Sequence, residues 1–325
     1  MIFTTTYLTE KINEYISSLD YNHEPHELYN PIDYVLEVGG KRVRPLLMLM
    51  SYNLFKDDIE SILPQAAAIE MYHNHTLLHD DLMDKADLRR NRPTVHKKWD
   101  ENSAILSGDT MLILAYKYMC ECDNIVLDKV VSLFTNTAIE ICQGQQWDIQ
   151  FEKMDNVTID QYIEMIRLKT AVLLSAALKI GAIKAGATDK DADYLYNFGI
   201  NIGLAFQLQD DYLDVYGDSK TFGKSIGGDI ISNKKTFMLL SALNNGNEEQ
   251  KSEILRWISM AEFDPKEKIK AITKIYNEQN IDKFCFKLID SYFEKGLKYL
   301  DSVDVQESKK SELRDFVMKM MRRKV

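Results

Sequence analysis

The sequence predicts an all-α protein, a single large bundle of long antiparallel helices around a central cavity, and three observations lead there. Apolar residues recur at helical spacing nearly throughout, and no stretch shows clear strand alternation. Helix starts recur as well: Pro64 suits a first turn, Thr158 with Gln161 forms a capping box, and Asp264 precedes Pro265. All six prolines are expected where helices begin or pause.

Taken in order, a helix precedes the turn at Gly39-Gly40, and a second is expected from Arg44 to Leu54. Pro64 opens a long helix from about Ile62 to Leu82. Helices follow at about Ile105 to Cys122, Val130 to Phe151, Thr158 to Ala185 and Asp189 to Val215, and the chain beyond Thr236 is helical too. No Pro/Gly/Ser-rich linker and no internal repeat interrupts the series, so residues 1–325 read as one domain.

Composition narrows the function. With 45% hydrophobic and 28% charged residues the chain is ordinary for a globular protein. A net charge of −10 excludes a nucleic-acid surface, which needs a basic face. The basic residues nevertheless gather at Lys41, Arg42 and Arg44, at Arg89, Arg90 and Arg92, at Lys234 and Lys235, and at Arg322 to Lys324, a pattern that suits a small anionic ligand. The four cysteines form no CxxC pair and read as small buried hydrophobes in a reducing compartment, the cytoplasm. No signal peptide is evident, and the most apolar run, Thr170 to Gly186, is broken by Lys179 and Lys184, so stable membrane insertion is not expected.

Two stretches carry the chemistry. Leu77 to Arg92 reads LLHDDLMDKADLRRNR and Phe206 to Asp214 reads FQLQDDYLD, each containing DDxxD. On a helix Asp80 and Asp84 stack one turn apart with Asp81 alongside, and Gln207, Asp210 and Asp214 share a face with Asp211 beside them. Like charges about 6 Å apart repel by roughly 3 kcal/mol at an effective dielectric near 20. A cation therefore belongs there, and oxygen-only donors suit a hard ion such as Mg²⁺ that also takes water and phosphate oxygens. His73 lies two turns before Asp80, on the same face.

Paired DDxxD motifs, LRR after the first and FQLQDD opening the second, together with the GGKRVRP run from Gly39 to Pro45, Leu168-Lys169-Thr170 and Gly223-Lys224 to Thr236, resemble the trans-isoprenyl diphosphate synthases. The likeness spans most of the chain in the family's order. It implies an isoprenoid-synthase fold and Mg²⁺-dependent head-to-tail condensation of isopentenyl diphosphate with an allylic diphosphate (dimethylallyl, geranyl or farnesyl). By the same resemblance Asp80, Asp81, Asp84, Asp210, Asp211 and Asp214 hold the metal. Lys41, Arg44, His73 and Arg90 hold isopentenyl diphosphate, with bidentate guanidinium recognition suited to the task. Arg89, Lys169, Lys224 and Lys234 take the allylic diphosphate, and Lys169, Thr170 and Gln207 are the catalytic dipoles and leaving-group contacts. Six carboxylates and a diphosphate need divalent cations as well as Arg89, Lys169 and Lys224 to approach neutrality. The glycine-rich loop Gly217 to Asn233 is expected to order on phosphate.

The resemblance places product-length control at His75 and Thr76, with Tyr72 deeper, although helical geometry puts only Thr76 in line with Asp80. A histidine where long-chain enzymes carry alanine implies farnesyl or geranylgeranyl diphosphate, the latter preferred. The resemblance also implies a homodimer paired through the helices from Ile105 to Phe151, and a basic end, Met321 to Val325, that some members close over the substrate. A class I terpene cyclase shares the first motif, but its second mixes Asn or Asp, Ser or Thr, and Glu; a non-catalytic prenyltransferase subunit usually lacks one aspartate motif, and this chain has both. Both are retained here.

Overall fold

The computed structural model describes residues 1–217 and 226–321, most of them α-helical. The chain divides into two compact units: Met1–Thr135, Ala176–Leu195 and Val303–Leu313 form the first, and Asn136–Ser175, Tyr196–Ser302 and Arg314–Val325 the second.

The first unit contains α1 (Thr5–Ser18), α2 (His26–Glu37), α3 (Val43–Asn53), α4 (Leu63–Met83), the single turn α5 (Val95–Lys98) and α6 (Glu101–Met119). Four helices contribute residues to both units: α7 (Asn124–Lys153), α9 (Val172–Lys184), α10 (Asp189–Tyr216) and α16 (Glu307–Met321). The second unit adds α8 (Ile159–Ile166), α11 (Gly228–Ile231), α12 (Phe237–Asn245), α13 (Glu248–Ser259), α14 (Pro265–Glu278) and α15 (Ile281–Asp301). The expected start signals operate as read. Pro64 lies in the first turn of α4, Thr158 and Gln161 cap α8 reciprocally, and Asp264 accepts from the amides of Lys266 and Glu267.

Within the first unit α4 runs along α6, and its buried side chains from Leu63 to Leu78 are mostly apolar, with Gln65, Glu70 and Asn74 among them. The two approach closely at Gly108 of α6, where a Cβ would stand 2.2 Å from His79 Nε2. Gly181 of α9 does the same against α3, where its Cβ would lie 2.4 Å from the Met48 carbonyl oxygen. The core of the second unit gathers Tyr162, Leu208, Tyr276 and Ile281, all at most 2% exposed.

Several expectations are corrected. The N-terminal helix is two helices, α1 and α2, and Pro31 lies inside α2, where its missing N–H removes one rung of the ladder. The helix expected from Thr158 to Ala185 is interrupted by a π-helical turn at Arg167–Ala171. Cys120 and Cys142 are exposed and Cys122 half-buried; Cys285 alone matches the buried reading, because a thiol is small enough to sit on a surface without cost. Among the described residues the only strands are the two-residue pair Leu88–Arg89 and Arg92–Pro93, and no helix is long and apolar enough to cross a membrane.

Candidate functional site

Both aspartate rows fall at the carboxyl ends of their helices. Asp84 is the C-cap of α4, its amide donating to the Asp80 carbonyl, and Lys85 ends the helix in the left-handed region at φ 52°. Asp210, Asp211 and Asp214 occupy the last two turns of α10, which ends at Tyr216. A helix carries about half a negative charge at that end, so each row adds carboxylates where the backbone already disfavours them. Among the described residues no group of three or more His, Cys, Asp or Glu side chains is close enough to hold a metal alone. Oxygen-only donors at negatively polarised helix ends fit a hard divalent ion that draws the rest of its shell from water and diphosphate oxygens.

In the first unit the cations come from a small hairpin. Leu88 pairs with Pro93 and Arg89 with Arg92, and Arg90 and Asn91 both take positive φ, 51° and 62°, the geometry of a type I′ turn. Thr94 closes it, its amide donating to the Asp87 carbonyl and its hydroxyl to that of Ala86. Arg89 Nε donates to Asp81 at 2.6 Å. Burial works against the Arg89 charge, yet Asp81, with Asp80 and Asp84 behind it, outweighs this and holds its pKa above the ordinary value. Arg90 lies across Gly40, where a Cβ would stand 2.8 Å from its guanidinium. Gly40 therefore leaves the space that the guanidinium occupies.

His73 joins this cluster. Arg44 Nη1 is 3.0 Å from His73 Nε2, and since the guanidinium only donates, the imidazole accepts. Burial first, then the positive charge of Arg44, Arg90, Arg89 and Arg42, holds the His73 pKa well below its usual value, so the ring is neutral. Lys41 is exposed at the turn before α3. A depression of about 390 Å³ lined by Tyr34, Asn74, Leu77, Asp81, Arg89 and Arg90 adjoins these groups. Tyr72 is 1% exposed, edge-on to Phe134 and 5.6 Å from the His75 ring. His75 Nδ1 is 2.9 Å from the Gly108 carbonyl oxygen, and burial with His79 close by pushes its pKa down to about 4. The Thr76 hydroxyl donates to the His73 carbonyl.

In the second unit the π-helical turn carries Lys169 and Thr170. Two glycines let neighbouring helices reach it. A Cβ on Gly144 of α7 would stand 2.4 Å from the Lys169 amide nitrogen, and one on Gly203 of α10 would stand 2.6 Å from Ala171 Cα. Lys169 Nζ donates to Asp148 at 2.6 Å, and the Thr170 hydroxyl donates to Gln207 Oε1 at 3.0 Å. Gln207 Nε2 in turn donates to Asp211 at 2.9 Å, and the buried Tyr162 hydroxyl donates to the other Asp211 oxygen. Burial raises Asp211 to about 7 and Asp229 adds to the rise, against the lowering influence of Lys234 and these hydrogen bonds. Asp214 accepts from the Asp229 amide at 2.9 Å.

Each predicted residue is thus located, except Lys224, which lies outside the described residues with Gly223 and much of the glycine-rich loop, as do Arg322 to Val325. Four contributors escaped the sequence reading: Glu70, Asp148, Tyr162 and Asp229. Glu70 pairs with the buried Arg42 at 2.7 Å and so anchors the turn between Lys41 and Arg44. Asp148 was the most legible of the four, one helical turn after Gly144 in GQQWD. Burial disfavours its charge, but Lys169 and Lys234 outweigh that and hold its pKa below the carboxylate range.

Comparison with known proteins identifies the family. Residues 25–276 match the polyprenyl synthetase family model. A short chain isoprenyl diphosphate synthase of Methanocaldococcus jannaschii is 41% identical over 256 residues, 78% of this chain and 77% of that protein. A crystal structure of a geranylgeranyl pyrophosphate synthase, 42% identical, superposes over 100% of both chains with a TM-score of 0.95. A geranylgeranyl pyrophosphate synthase from Corynebacterium glutamicum, solved with isoprenyl diphosphate and magnesium, is 26% identical with a TM-score of 0.85 over 98% of both chains. The chain therefore belongs to the polyprenyl synthetase family and is a trans-prenyltransferase that condenses isoprenyl diphosphate units.

Proposed function

We propose that the enzyme extends an allylic diphosphate with isopentenyl diphosphate, head to tail and with Mg²⁺, to geranylgeranyl diphosphate. The observation that carries this reading is the pairing, in each unit, of an aspartate row at a helix carboxyl end with a cation cluster of its own: Arg44, Arg89 and Arg90 in the first, Lys169 and Lys234 in the second. Lys41, Arg44, His73 and Arg90 bind the isopentenyl diphosphate, the neutral His73 being oriented by Arg44. Arg89, Lys169, Lys224 and Lys234 bind the allylic diphosphate. The six aspartates hold Mg²⁺, which when bound supplies Lewis-acid withdrawal of charge from the leaving diphosphate.

As the allylic C–O bond ionises, Lys169 stabilises the departing anion, while the Thr170 and Gln207 oxygens, linked by their own hydrogen bond, face the resulting carbocation with fixed dipoles. The isopentenyl double bond then attacks, and the released diphosphate takes the proton, so no protein nucleophile is required. Tyr72, His75 and Thr76 limit chain growth. The exposed apolar residues Ile105, Leu106 and Ile113 of α6 support homodimer pairing there, and the four free thiols support a cytoplasmic enzyme. All 325 residues serve one catalytic domain.

The test is to incubate pure protein with isopentenyl diphosphate, each allylic primer and Mg²⁺, and to separate the dephosphorylated products by length. Twenty-carbon product is expected, abolished by chelator and restored by Mg²⁺. Products mainly beyond about twenty-five carbons, or undiminished turnover in chelator, would refute the reading.

A further inference from the structure

Lys268 on α14 is 1% exposed, yet its partners among the described residues are neutral. Its ammonium donates to Asn233 Oδ1 at 2.6 Å and to the Ile231 carbonyl oxygen at 3.2 Å, and it sits 4.1 Å over the Phe263 ring. Burial pulls its pKa below the usual lysine value. A charge buried on neutral partners is costly, and an apolar side chain of the same length would fill the space without that cost. The reason to keep the ammonium lies in what it holds.

It holds the turn that leads into Lys234. Ile231 ends α11, and Asn233 adopts the left-handed region at φ 58°, a conformation asparagine takes more readily than most residues and one that turns the chain toward Lys234. Its side chain is pinned on both sides, Oδ1 by Lys268 and Nδ2 on the Ile258 carbonyl at 3.3 Å. The start of the same segment is fixed to the second aspartate row, the amides of Gly227 and Asp229 donating to the backbone and side-chain oxygens of Asp214. The Lys234 amide then closes on the Asp229 carbonyl at 2.9 Å. Asp214 therefore holds one end of the segment and Lys268 the other, and the charge of Lys234 is felt at both Asp148 and Asp211.

We propose that Lys268 is a positioning residue for Lys234: by gripping the Ile231 carbonyl and the Asn233 side chain it sets the direction in which Lys234 presents its ammonium to the allylic diphosphate. This rests on the role assigned above to Lys234. The test compares Lys268→Met, Lys268→Arg, Lys234→Ala and the double variant that combines Lys268→Met with Lys234→Ala, using amide hydrogen exchange across residues 227–236 and separate KM values for the two substrates.

Lys268→Met is expected to speed exchange of the Ile231 to Lys234 amides by about tenfold and to raise the allylic KM by about three- to tenfold, with the isopentenyl KM within about twofold. Lys268→Arg, which keeps the charge and donors, should fall closer to the parent even if Lys268→Met is poorly folded. The double variant should be no worse than Lys234→Ala alone. Unchanged exchange in Lys268→Met, or effects that multiply in the double variant, overturns the positioning proposal while leaving the role of Lys234 intact. A Lys234→Ala enzyme with unchanged allylic KM, beside a loosened turn in Lys268→Met, instead locates the error in the role given to Lys234, and the proposal falls with it.

Discussion

The π-helical turn at Arg167–Ala171 is the element whose disturbance tests the site most directly. Two helices touch its backbone through glycine, α7 at Gly144 and α10 at Gly203. Replace Gly203 by alanine and the new methyl stands 2.6 Å from both Ala171 Cα and Cβ. Carbon atoms in contact settle at about 3.5–4.0 Å, so the turn must retreat by about 1 Å. Gly144→Ala is tighter still, at 2.4 Å from the Lys169 nitrogen and 2.8 Å from Leu168 C, with no flexible side chain to yield.

Overpacking of this kind costs about 1–3 kcal/mol of stability, and a displacement of about 1 Å in a reacting group costs on the order of 100-fold in rate. Gly203→Ala is therefore expected to fold, to unfold at lower urea, and to lose about 10- to 100-fold in kcat because Lys169 and Thr170 move. The isopentenyl KM, which the proposed function assigns to residues of the first unit, should change little. Gly181→Ala is the control, since its Cβ would meet the Met48 carbonyl at 2.4 Å and so lower stability comparably without touching the π-helical turn. If Gly203→Ala and Gly181→Ala lose equal stability and equal kcat, the turn is passive scaffold and the reasoning fails.

Arg42→Met leaves Glu70 buried without its partner and should lower unfolding free energy in urea by about 3–5 kcal/mol; replacing Glu70 by methionine as well should recover most of it. His75 has a folded pKa of about 4 against about 6.5 unfolded, so the unfolded chain binds more protons between those values and stability falls as pH drops. The His75 share of that fall from pH 8 to pH 5 is about 2 kcal/mol, and His75→Gln should flatten the curve by that much; an identical curve would remove His75 as its source. Changing Tyr72 and His75 together to alanine should lengthen the product, and an unchanged product would end their role as a floor. Asp81→Asn should release Arg89 and weaken allylic diphosphate binding about 10-fold, while Asp84→Asn, at the exposed helix end, should raise the Mg²⁺ requirement with little effect on stability.

The aspartate rows were legible because spacing of three and four residues has one meaning on a helix, and both rows lie on helices as read. The hairpin behind Arg89 and Arg90 was not, since its turn places two non-glycine residues at positive φ and its strands are two residues long. The pairing of Lys169 with Asp148 was hidden for a different reason. Extrapolating regular α-helical phase through residues 158–185 misplaces every side chain beyond the π-helical turn by part of a turn. Glu70 and Tyr162 looked like ordinary members of amphipathic helices, and only tertiary packing turns them toward Arg42 and Asp211.

The two rows share an asymmetry that explains how an acidic helix end survives folding. In each, the second aspartate of the DD pair is the buried one, Asp81 at 6% and Asp211 at 4% exposure, and each is met by a side-chain donor: Arg89 for the first, Tyr162 and Gln207 for the second. Asp80, Asp84, Asp210 and Asp214 are all less buried. The buried carboxyl thus ties each row to its fold, and in the first row to a cation as well, and the remaining pair lies one helical turn apart on the more open face. Two carboxylates at that spacing and a helix carboxyl end make a negative potential that a hard cation would lower, and under the proposed function that cation is what makes the row tolerate an anionic diphosphate.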